Sequence, residues 1–461
     1  MPVNLHPGPD DAFPTPASHV QADTEAILLK LIPDQPLAKL HKNAHVQFLA
    51  RNFVQGFPIR YTSQDASQPW LMFWTLQSFS VLRVGLDPGN KQRAIDTILT
   101  WQHPDGGFGG DPGQSAHLLA TYVSVCSLSI AGKAGENGGW DQIDREKMYK
   151  FFMSLKQPDG SFPVRRGIYC LLVTATLLDI LTLIASCQTY EGGFASASQP
   201  YFSSLPFTPE SLLPSPRPLL GEAHGGYTYC SLATWVMLRP LWTPPLLGRR
   251  SLLRWLVQMQ GLPIEMGGFK GRTNNLVDGC YSWWIGGSLN LLAALGVSVG
   301  ALGNVNQSQD QDDGQDWHNV DDSFFSREAL QEYILSAGQH PAGGLRDNSP
   351  KSENADAYHT MYCLSGLFSA QHRMVPSHHR RAQILSARQE ENDRTFHIRC
   401  RANFAKRLLN SLSWTEDEEA SKIVGGDANR VVCSSSLRVS TRAKGFMAYF
   451  YRHSPNEPRI N

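Results

Sequence analysis

The chain has 461 residues, of which 41 are basic and 41 acidic, so its formal net charge is zero. A balanced charge gives no electrostatic reason to expect nucleic acid or an anionic membrane surface as a partner. With 41% hydrophobic residues, the chain can bury a large core. Its eight cysteines are scattered along the chain, mostly in apolar runs. This is typical of a reduced, cytoplasmic protein rather than of a disulfide framework.

The N-terminal residues 1–22 are rich in Pro and polar residues and predict a disordered segment. They lack the basic start and the apolar stretch of a signal peptide. Residues 23–371 predict one large helical domain. Two flexible inserts are expected within it, a Pro- and Ser-rich one at about 196–220 and a polar one at about 302–322.

A short phrase recurs along the chain, in which a Gln is followed by a turn, usually with paired glycines, and then by an aromatic or apolar residue. Glycine pairs after a helix suit a C-terminal cap and a tight turn, so the repetition predicts stacked helix pairs and an all-α fold. One repeat is expected to be truncated, because the interval from Gln157 to Gln188 is too short for two helices. The five copies are residues 102–108, 157–162, 188–194, 260–269 and 339–345.

Residues 168–187 are almost long enough to cross a membrane and carry a single charge, Asp179. That charge stands in the middle of the segment, threonines dilute the apolar run, and no basic flank follows. The segment is therefore predicted to be a buried helix containing a turn, and no transmembrane segment is expected.

One carboxylate, one thiol and one imidazole stand in two motifs near the end of the helical region, as Asp278, Cys280 and His359. All three are zinc-ligand types, and three protein ligands leave the fourth position open, as in catalytic zinc sites. The alternative is a buried Cys beside a helix-capping Asp, with His359 in the core. Spacing alone favours this alternative, and only the surrounding motifs favour a metal.

These surroundings resemble the β subunits of protein prenyltransferases, most closely those of the farnesyltransferases, from about residue 34 to 372. The resemblance implies an α/α toroid, which is two concentric rings of helices around an apolar funnel, as in the terpene cyclases. It also implies a heterodimer with a prenyltransferase α subunit. The motifs that carry it are residues 69–74, 106–110, 222–227, 271–284 and 358–367.

The resemblance also implies a reaction and its polar residues. Farnesyl diphosphate would donate its farnesyl group to the Cys thiol of a protein with a C-terminal CaaX sequence. Asp278, Cys280 and His359 would hold the zinc that activates this thiol. His224, Arg272 and Tyr281 match positions around the diphosphate, where cationic and hydroxyl donors stabilise the leaving group. Mg²⁺ is expected to accompany the diphosphate, with Asp347 as a possible ligand.

The lipid and peptide sites of the family are aromatic, because an apolar tail needs dry, stacked walls. Trp70 is bulky where geranylgeranyl-transferring relatives have a small residue, and this favours the shorter, fifteen-carbon donor. Asp347, where those relatives have Lys, indicates the same donor. The residues that match these sites are Tyr169, Tyr227, Cys230 and Trp284 for the isoprenoid, Trp70, Trp74, Tyr358 and Tyr362 for the peptide and tail region, and Arg166 for the peptide carboxyl end.

Three departures from the family pattern keep alternatives open. Asn275 stands where the family has Lys, the acidic segment that precedes Arg166 is absent, and residues 372–461 predict a divergent, partly disordered tail with a final helix near 440–452. The expected function is the catalytic β subunit of a protein farnesyltransferase. The alternatives are a type I geranylgeranyltransferase β subunit and a catalytically impaired toroid that only binds its α partner.

Overall fold

The computed structural model describes residues 13–31, 39–156, 162, 183–197, 221–238, 248–294, 297, 324–347, 354–379, 382 and 414–432. Its α-helices are α1 (Pro16–Leu31), α2 (Lys42–Gln55), α3 (Gln68–Val81), α4 (Pro88–Thr100), α5 (Leu118–Ala131), α6 (Arg145–Leu155), α7 (Gly225–Leu238), α8 (Arg249–Gln258), α9 (Tyr281–Ala294), α10 (Arg327–Tyr333) and α11 (Ala357–Gln371). Strands β1 (Arg373–Pro376) and β2 (Trp414–Asp417) form a small antiparallel sheet.

Two kinds of helix alternate along much of the chain. Helices α3, α5, α7, α9 and α11 are apolar on nearly all sides, which is expected of helices that are buried all round. Helices α4, α6 and α8 have an apolar stripe and a polar face. The apolar helices form a row, in which α5 packs on α3, α3 on α11, α11 on α9 and α9 on α7. This row is the inner layer of the fold, and the amphipathic helices cover it from outside.

The Gln–Gly–aromatic phrase forms the same turn in each copy that the structure describes. Its first and last residues pair as isolated bridges at Gln102–Phe108, Gln188–Phe194, Gln260–Phe269 and Gln339–Leu345. Only glycine fits at the first Gly of the turn. At Gly106 φ is +97°, and a Cβ atom would lie 2.1 Å from the Lys147 carbonyl oxygen. The first glycine therefore lets the turns at 102–108, 188–194 and 339–345 touch the backbone of α6, α8 and α2, and lets the turn at 260–269 touch the Ala329 side chain of α10.

The N-terminal segment differs from its predicted disorder, since α1 begins at Pro16 and includes residues 16–22. A reciprocal cap explains the start of this helix. The Thr15 hydroxyl accepts from the Ser18 N–H at 3.1 Å, and the Ser18 hydroxyl accepts from the Thr15 N–H at 2.8 Å. Pro at the first helical position costs nothing, because its missing N–H would have had no helical partner. Helix α1 then packs near Pro263–Glu265, with Leu28 fully buried.

The tail also differs from the predicted boundary at residue 371, because residues 414–432 pack on the helices. Buried Arg327 donates to the Ala370 and Gln371 carbonyls at 2.7 and 2.6 Å, and to the Ala420 carbonyl at 2.9 Å. The Gln371 side chain donates to the Asn429 carbonyl at 2.9 Å. Buried polar groups need such partners, so this stretch of the tail completes the α10–α11 end of the fold.

Other predictions lie outside the described residues. Among the described residues, no helix is long and apolar enough to cross a membrane. The predictions that lie outside are the truncated repeat over 163–182 with Arg166 and Tyr169, most of the buried helix of 168–187, nearly all of the insert at 196–220, the insert at 302–322, and the final helix near 440–452.

Helix α2 carries a histidine, His45, that is fully buried and held in one neutral tautomer. Its Nδ1 accepts from the Gly344 N–H at 3.0 Å, so the proton is on Nε2, which lies 2.9 Å from the Gln339 Oε1. Burial lowers the pKa of His45 from 6.5 to about 4. His45 thus links α2 to the repeat turn at 339–345 only while it is uncharged.

Acid is therefore expected to destabilise the fold through His45. Below pH 6.5 the imidazole of the unfolded chain binds a proton that the folded chain does not bind until about pH 4. The free energy of unfolding should fall between pH 7 and pH 5 by about 2 kcal/mol more in the native chain than in His45→Gln, which cannot titrate. Denaturant unfolding at both pH values measures this, and equal losses in the two proteins would contradict it.

Candidate active site

Helices α5, α7, α9 and α11 each begin at the same place in a repeat, and hydrogen bonds define this register. The carbonyls of Phe108, Phe194, Phe269 and Leu345 each accept the N–H of the residue where the next inner helix begins or is about to begin, at 3.0 to 3.2 Å. The residues that donate these N–H groups also accept, through their side chains, from N–H groups two or three residues further along the chain. Three of the four are predicted or neighbouring site residues. The four are His117, His224, Asp278 and Asp356.

Asp278, Cys280 and His359 come together where α9 and α11 begin. One ligand atom from each lies within 4.8 Å of the other two. The His359 Nε2 is 3.4 Å from the Asp278 Oδ1. The Cys280 side chain is buried, and Asp278 and His359 are partly exposed, so the cluster is reachable from one side. The sequence motifs therefore do meet in space, as a metal site would require.

A second carboxylate, Asp356, fixes the orientation of His359. Its Oδ1 accepts from the His359 N–H at 2.7 Å, and its Oδ2 lies 2.6 Å from the His359 Nδ1. The Nδ1–H thus donates to Asp356, and Nε2 points at Asp278. A histidine that binds a metal usually donates its other ring N–H to a carboxylate in this way. Asp356 was not among the predicted site residues, although its place three residues before His359 at a helix start was a signal.

The charges of the cluster suit a divalent cation. Burial and the Asp278 charge raise the pKa of Cys280 to about 12. Burial alone would lower the pKa of His359, but hydrogen bonds to Asp278 and Asp356 raise it to about 12. Without a metal, the thiol and the imidazole therefore both hold protons. Zinc binding would displace these protons, and carboxylate, thiolate and imidazole are all zinc ligands. The residues present fit a zinc ion.

His224 and Tyr281 form a hydrogen-bonded pair beside this cluster. The His224 Nδ1 accepts from the Gly226 N–H at 3.1 Å, which leaves the proton on Nε2, 3.1 Å from the Tyr281 hydroxyl. Burial and the positive charge of Arg272 lower the pKa of His224, so the ring stays neutral. Burial raises the pKa of Tyr281, so the phenol keeps its proton. The Tyr281 hydroxyl accepts from His224 and can donate its own hydrogen to a ligand.

The turn that follows Gly271 carries the cationic side of the site. A Cβ atom at Gly271 would lie 1.9 Å from the Tyr281 ring, so only glycine lets this ring pack against the turn. The Arg272 guanidinium lies 3.0 Å from the Glu222 carboxylate. The Asn275 side chain does not reach this pair, because its Oδ1 accepts from the N–H of Leu276 at 2.9 Å. Arg272 is therefore the cation that the 271–275 turn supplies.

Aromatic rings from three inner helices form a continuous wall next to the cluster of Asp278, Cys280 and His359. Successive ring centroids are 5.4 Å apart for Trp70 and Trp74, 5.2 Å for Trp74 and Tyr358, and 4.6 Å for Tyr358 and Tyr362. Trp284 continues the wall 4.5 Å from Tyr362, and its indole N–H lies 3.4 Å from the Tyr358 hydroxyl. Such a wall suits an apolar ligand with few polar atoms.

The wall faces an enclosed space rather than the outer surface. The Tyr122 side chain is 47% exposed and that of Cys230 is exposed. Even so, protein surrounds the thiol, and burial raises the pKa of Cys230 to about 11. The Cys126 charge and burial raise the pKa of Tyr122. Side chains that are accessible yet desolvated line a concave funnel.

Comparison with known proteins agrees with this architecture. A family model described as the prenyltransferase α/α toroid domain matches residues 40–409. The chain is 33% identical over 367 residues to the protein farnesyltransferase subunit β of Schizosaccharomyces pombe, covering 76% of this chain and 83% of that relative. It is 36% identical over 342 residues to the subunit of the same name from Saccharomyces cerevisiae, covering 72% and 69%. The chain belongs to the protein farnesyltransferase β-subunit family.

Geranylgeranyltransferase β subunits are more distant from this member of the farnesyltransferase β family. The type-1 β subunit of Arabidopsis thaliana is 26% identical over 380 residues, covering 72% of this chain and 85% of that relative. The structure of Candida albicans protein geranylgeranyltransferase-I complexed with GGPP has a TM-score of 0.52 at 19% identity and covers 72% of this chain and 91% of that chain. At that identity it shows the fold alone. The predicted α/α toroid is confirmed.

In this farnesyltransferase-family chain the structure describes every predicted site residue except Arg166 and Tyr169. Tyr227 packs on His224 with ring centroids 5.2 Å apart. Asp347 belongs to the turn before α11. Burial raises the pKa of the Cys363 thiol, and the charges of Asp278 and Asp347 add to this rise, so Asp347 lies on the same side of α11 as Asp278.

Several residues of the site besides Asp356 were not predicted from the sequence. Tyr122 and Tyr229 face the funnel aromatics, with ring centroids 6.4 Å from Trp70 and 5.6 Å from Trp284. A repeated pattern could have indicated both. Each follows a Thr whose hydroxyl accepts from the backbone N–H of the Phe in the preceding turn. Each also lies five residues after a His at the start of an inner helix. Glu222 was also missed, because nothing in the sequence links it to Arg272.

Proposed function

We propose that this chain is the catalytic β subunit of a heterodimeric protein farnesyltransferase, which transfers farnesyl from farnesyl diphosphate to the Cys thiol of C-terminal CaaX proteins. The main support is the juxtaposition of the Asp278, Cys280 and His359 ligand atoms beside an aromatic funnel. Membership of the family supports the same reaction. In this reaction a carbon–sulfur bond forms, the bond between the farnesyl carbon and the diphosphate oxygen breaks, and diphosphate leaves.

Asp278, Cys280 and His359 would hold the zinc ion. The chemistry that zinc would supply there is to lower the pKa of the substrate thiol, so that the thiol would react as the thiolate near neutral pH. Asp356 orients His359 for this role through the 2.6 Å contact with Nδ1. The stretch of aromatic wall made by Trp74, Tyr358 and Tyr362 excludes water from the apolar tail and the peptide.

The diphosphate would leave into the site made by Tyr281, His224 and Arg272. Tyr281 is protonated and accepts from His224, so its own hydrogen can stabilise a developing phosphate charge. Arg272 supplies a guanidinium, whose planar fork matches phosphate oxygens. Mg²⁺ would accompany the diphosphate, and Asp347 is the acid proposed to bind it.

Two alternatives are a type I geranylgeranyltransferase β subunit and a non-catalytic subunit that only binds its α partner. The bulky ring of Trp70, 5.4 Å from Trp74 and 6.4 Å from Tyr122, narrows the funnel and disfavours a twenty-carbon donor. A toroid that only binds its partner would have no need of three converging metal ligands.

Co-expression with a prenyltransferase α subunit, followed by thiol-alkylation assays with both donors, tests the proposal. We expect a stable complex that transfers farnesyl to a CaaX peptide, and little activity from the β chain alone. Preference for geranylgeranyl diphosphate would support the first alternative. A stable complex without transfer to any peptide would support the second.

Asn275→Lys is expected to raise turnover, because the family places a cation where this chain has a neutral amide. A charge-assisted contact there is worth about 1.5–3 kcal/mol, or on the order of tenfold to a hundredfold in rate if it acts in the transition state. The Mg²⁺ concentration needed for half-maximal rate should fall, because Lys and metal neutralise the same oxygens. Asn275→Gln is the neutral control. Equal rates and equal Mg²⁺ dependence in the Lys and Gln variants would contradict this placement of the diphosphate.

A further inference from the structure

The cation of the proposed diphosphate site already has an anionic partner within the chain. One terminal nitrogen of Arg272 lies 3.0 Å from the Glu222 Oε2. Their side chains are 48% and 70% exposed, so the pair lies at the accessible rim of the funnel. Both charges act on His224, whose pKa is lowered by Arg272 and raised by Glu222. Arg272 and Glu222 are therefore next to the His224–Tyr281 pair.

A second carboxylate at this rim has a different role. The Glu191 Oε1 accepts from the Thr273 hydroxyl at 2.9 Å, and its Oε2 accepts from the Ala223 N–H at 3.3 Å. Glu191 thus fastens the 271–275 turn to the start of α7 rather than pairing with Arg272. Residues 191, 222–224 and 271–275 together carry two carboxylates and one cation. With Asn275 in place of a Lys, the charge of this group is net negative.

We propose that Glu222 is an internal counter-ion that competes with the diphosphate of the prenyl donor for Arg272, and so sets the affinity of this site for donor and for released diphosphate. The inference rests on the proposed function for the identity of the anion. An ion pair between exposed side chains is weak in water, so a diphosphate with several oxygens can displace Glu222. The return of Glu222 to Arg272 then assists the departure of the product.

The competition predicts the sign of a change in affinity. In Glu222→Gln the amide oxygen can still accept from Arg272, but the charge is lost. In Glu222→Ala both the charge and the contact are lost. We expect each variant, as the full chain in complex with an α subunit, to bind inorganic diphosphate about tenfold more tightly at low salt, and the gain should fade at high ionic strength. Isothermal titration with inorganic diphosphate measures this.

Glu191→Gln is the matched control, because it removes the same charge from a carboxylate that is bonded to Thr273 and Ala223. It should change diphosphate affinity much less than Glu222→Gln does. Weaker binding in Glu222→Ala would overturn the proposal, because it would show that Glu222 positions Arg272 for the anion. Equal tightening in Glu191→Gln would also overturn it, because the effect would then be one of general charge.

Prenyl transfer separates this inference from the proposed function. In Glu222→Gln we expect a lower KM for the donor, and a lower kcat under conditions where diphosphate release limits turnover. If the native complex transfers no prenyl group, the proposed function fails, while the inorganic diphosphate titration still decides the role of Glu222. If the native complex transfers farnesyl and diphosphate affinity is unchanged in both Glu222 variants, only the counter-ion inference fails.

Discussion

Cys280→Ala is expected to lose the metal and nearly all prenyl transfer together. Without the metal, the thiol of the peptide substrate would have an ordinary pKa of about 8.5, so only a few per cent of it would be thiolate at pH 7. Misplacement of the sulfur by about 1 Å costs on the order of another hundredfold. The rate should therefore fall on the order of a thousandfold. Metal analysis of the purified complex and a peptide alkylation assay measure the two effects. His359→Ala should behave in the same way.

Cys187→Ala is the matched control for this experiment. Cys187 is also a buried thiol, but it lies before the 188–194 turn and outside the ligand cluster. This variant should keep its metal and its activity. Asp356→Asn adds a graded case. It keeps the shape of the side chain and weakens the acceptor for His359 Nδ1, so metal affinity should fall about 10- to 100-fold. Full metal content in both Cys280→Ala and His359→Ala would mean that these residues do not hold a metal.

Trp70→Thr is expected to shift donor preference toward geranylgeranyl diphosphate. The Trp70 indole contacts Trp74 and Tyr122 in the funnel, so its removal opens space for additional carbons of a longer tail. Burying even two of those carbons is worth about 1.6 kcal/mol, since each CH₂ contributes about 0.8 kcal/mol. The ratio of kcat/KM for the two donors should therefore change by about tenfold or more. Competition between the donors for one CaaX peptide measures this ratio.

Trp70→Phe supplies the control, because it keeps an aromatic ring and removes less volume. Its donor ratio should lie between those of the native chain and Trp70→Thr. Circular dichroism and metal content should be unchanged in both variants, since Trp70 lies outside the ligand cluster. An unchanged donor ratio in a folded Trp70→Thr variant would mean that the tail of the donor does not end at this residue.

Much of the fold was predictable because its signals are local. The Gln–Gly–aromatic phrase forms a turn in which a Cβ atom at the first glycine would clash with an adjacent helix, in each of the four copies that the structure describes. The ligand types of Asp278, Cys280 and His359 were also predictable, since their chemistry depends on residue type. The start of α1 at Pro16 was not predicted, because its stability depends on a cap at Thr15 and on packing against Pro263–Glu265.

The sequence by itself determined the repeat and the helical class, because these follow from residue type and short spacing. It identified the proposed zinc ligands only through the resemblance of their motifs to a known family. Tertiary structure alone decided which groups become partners across long separations. Glu222 reaches Arg272, 50 residues away, and the Asn429 region of the tail satisfies Gln371. No local pattern encodes such pairs. They form because buried polar groups need hydrogen-bond partners and exposed charges attract, and the closing of the helical layers decides which of them come within reach.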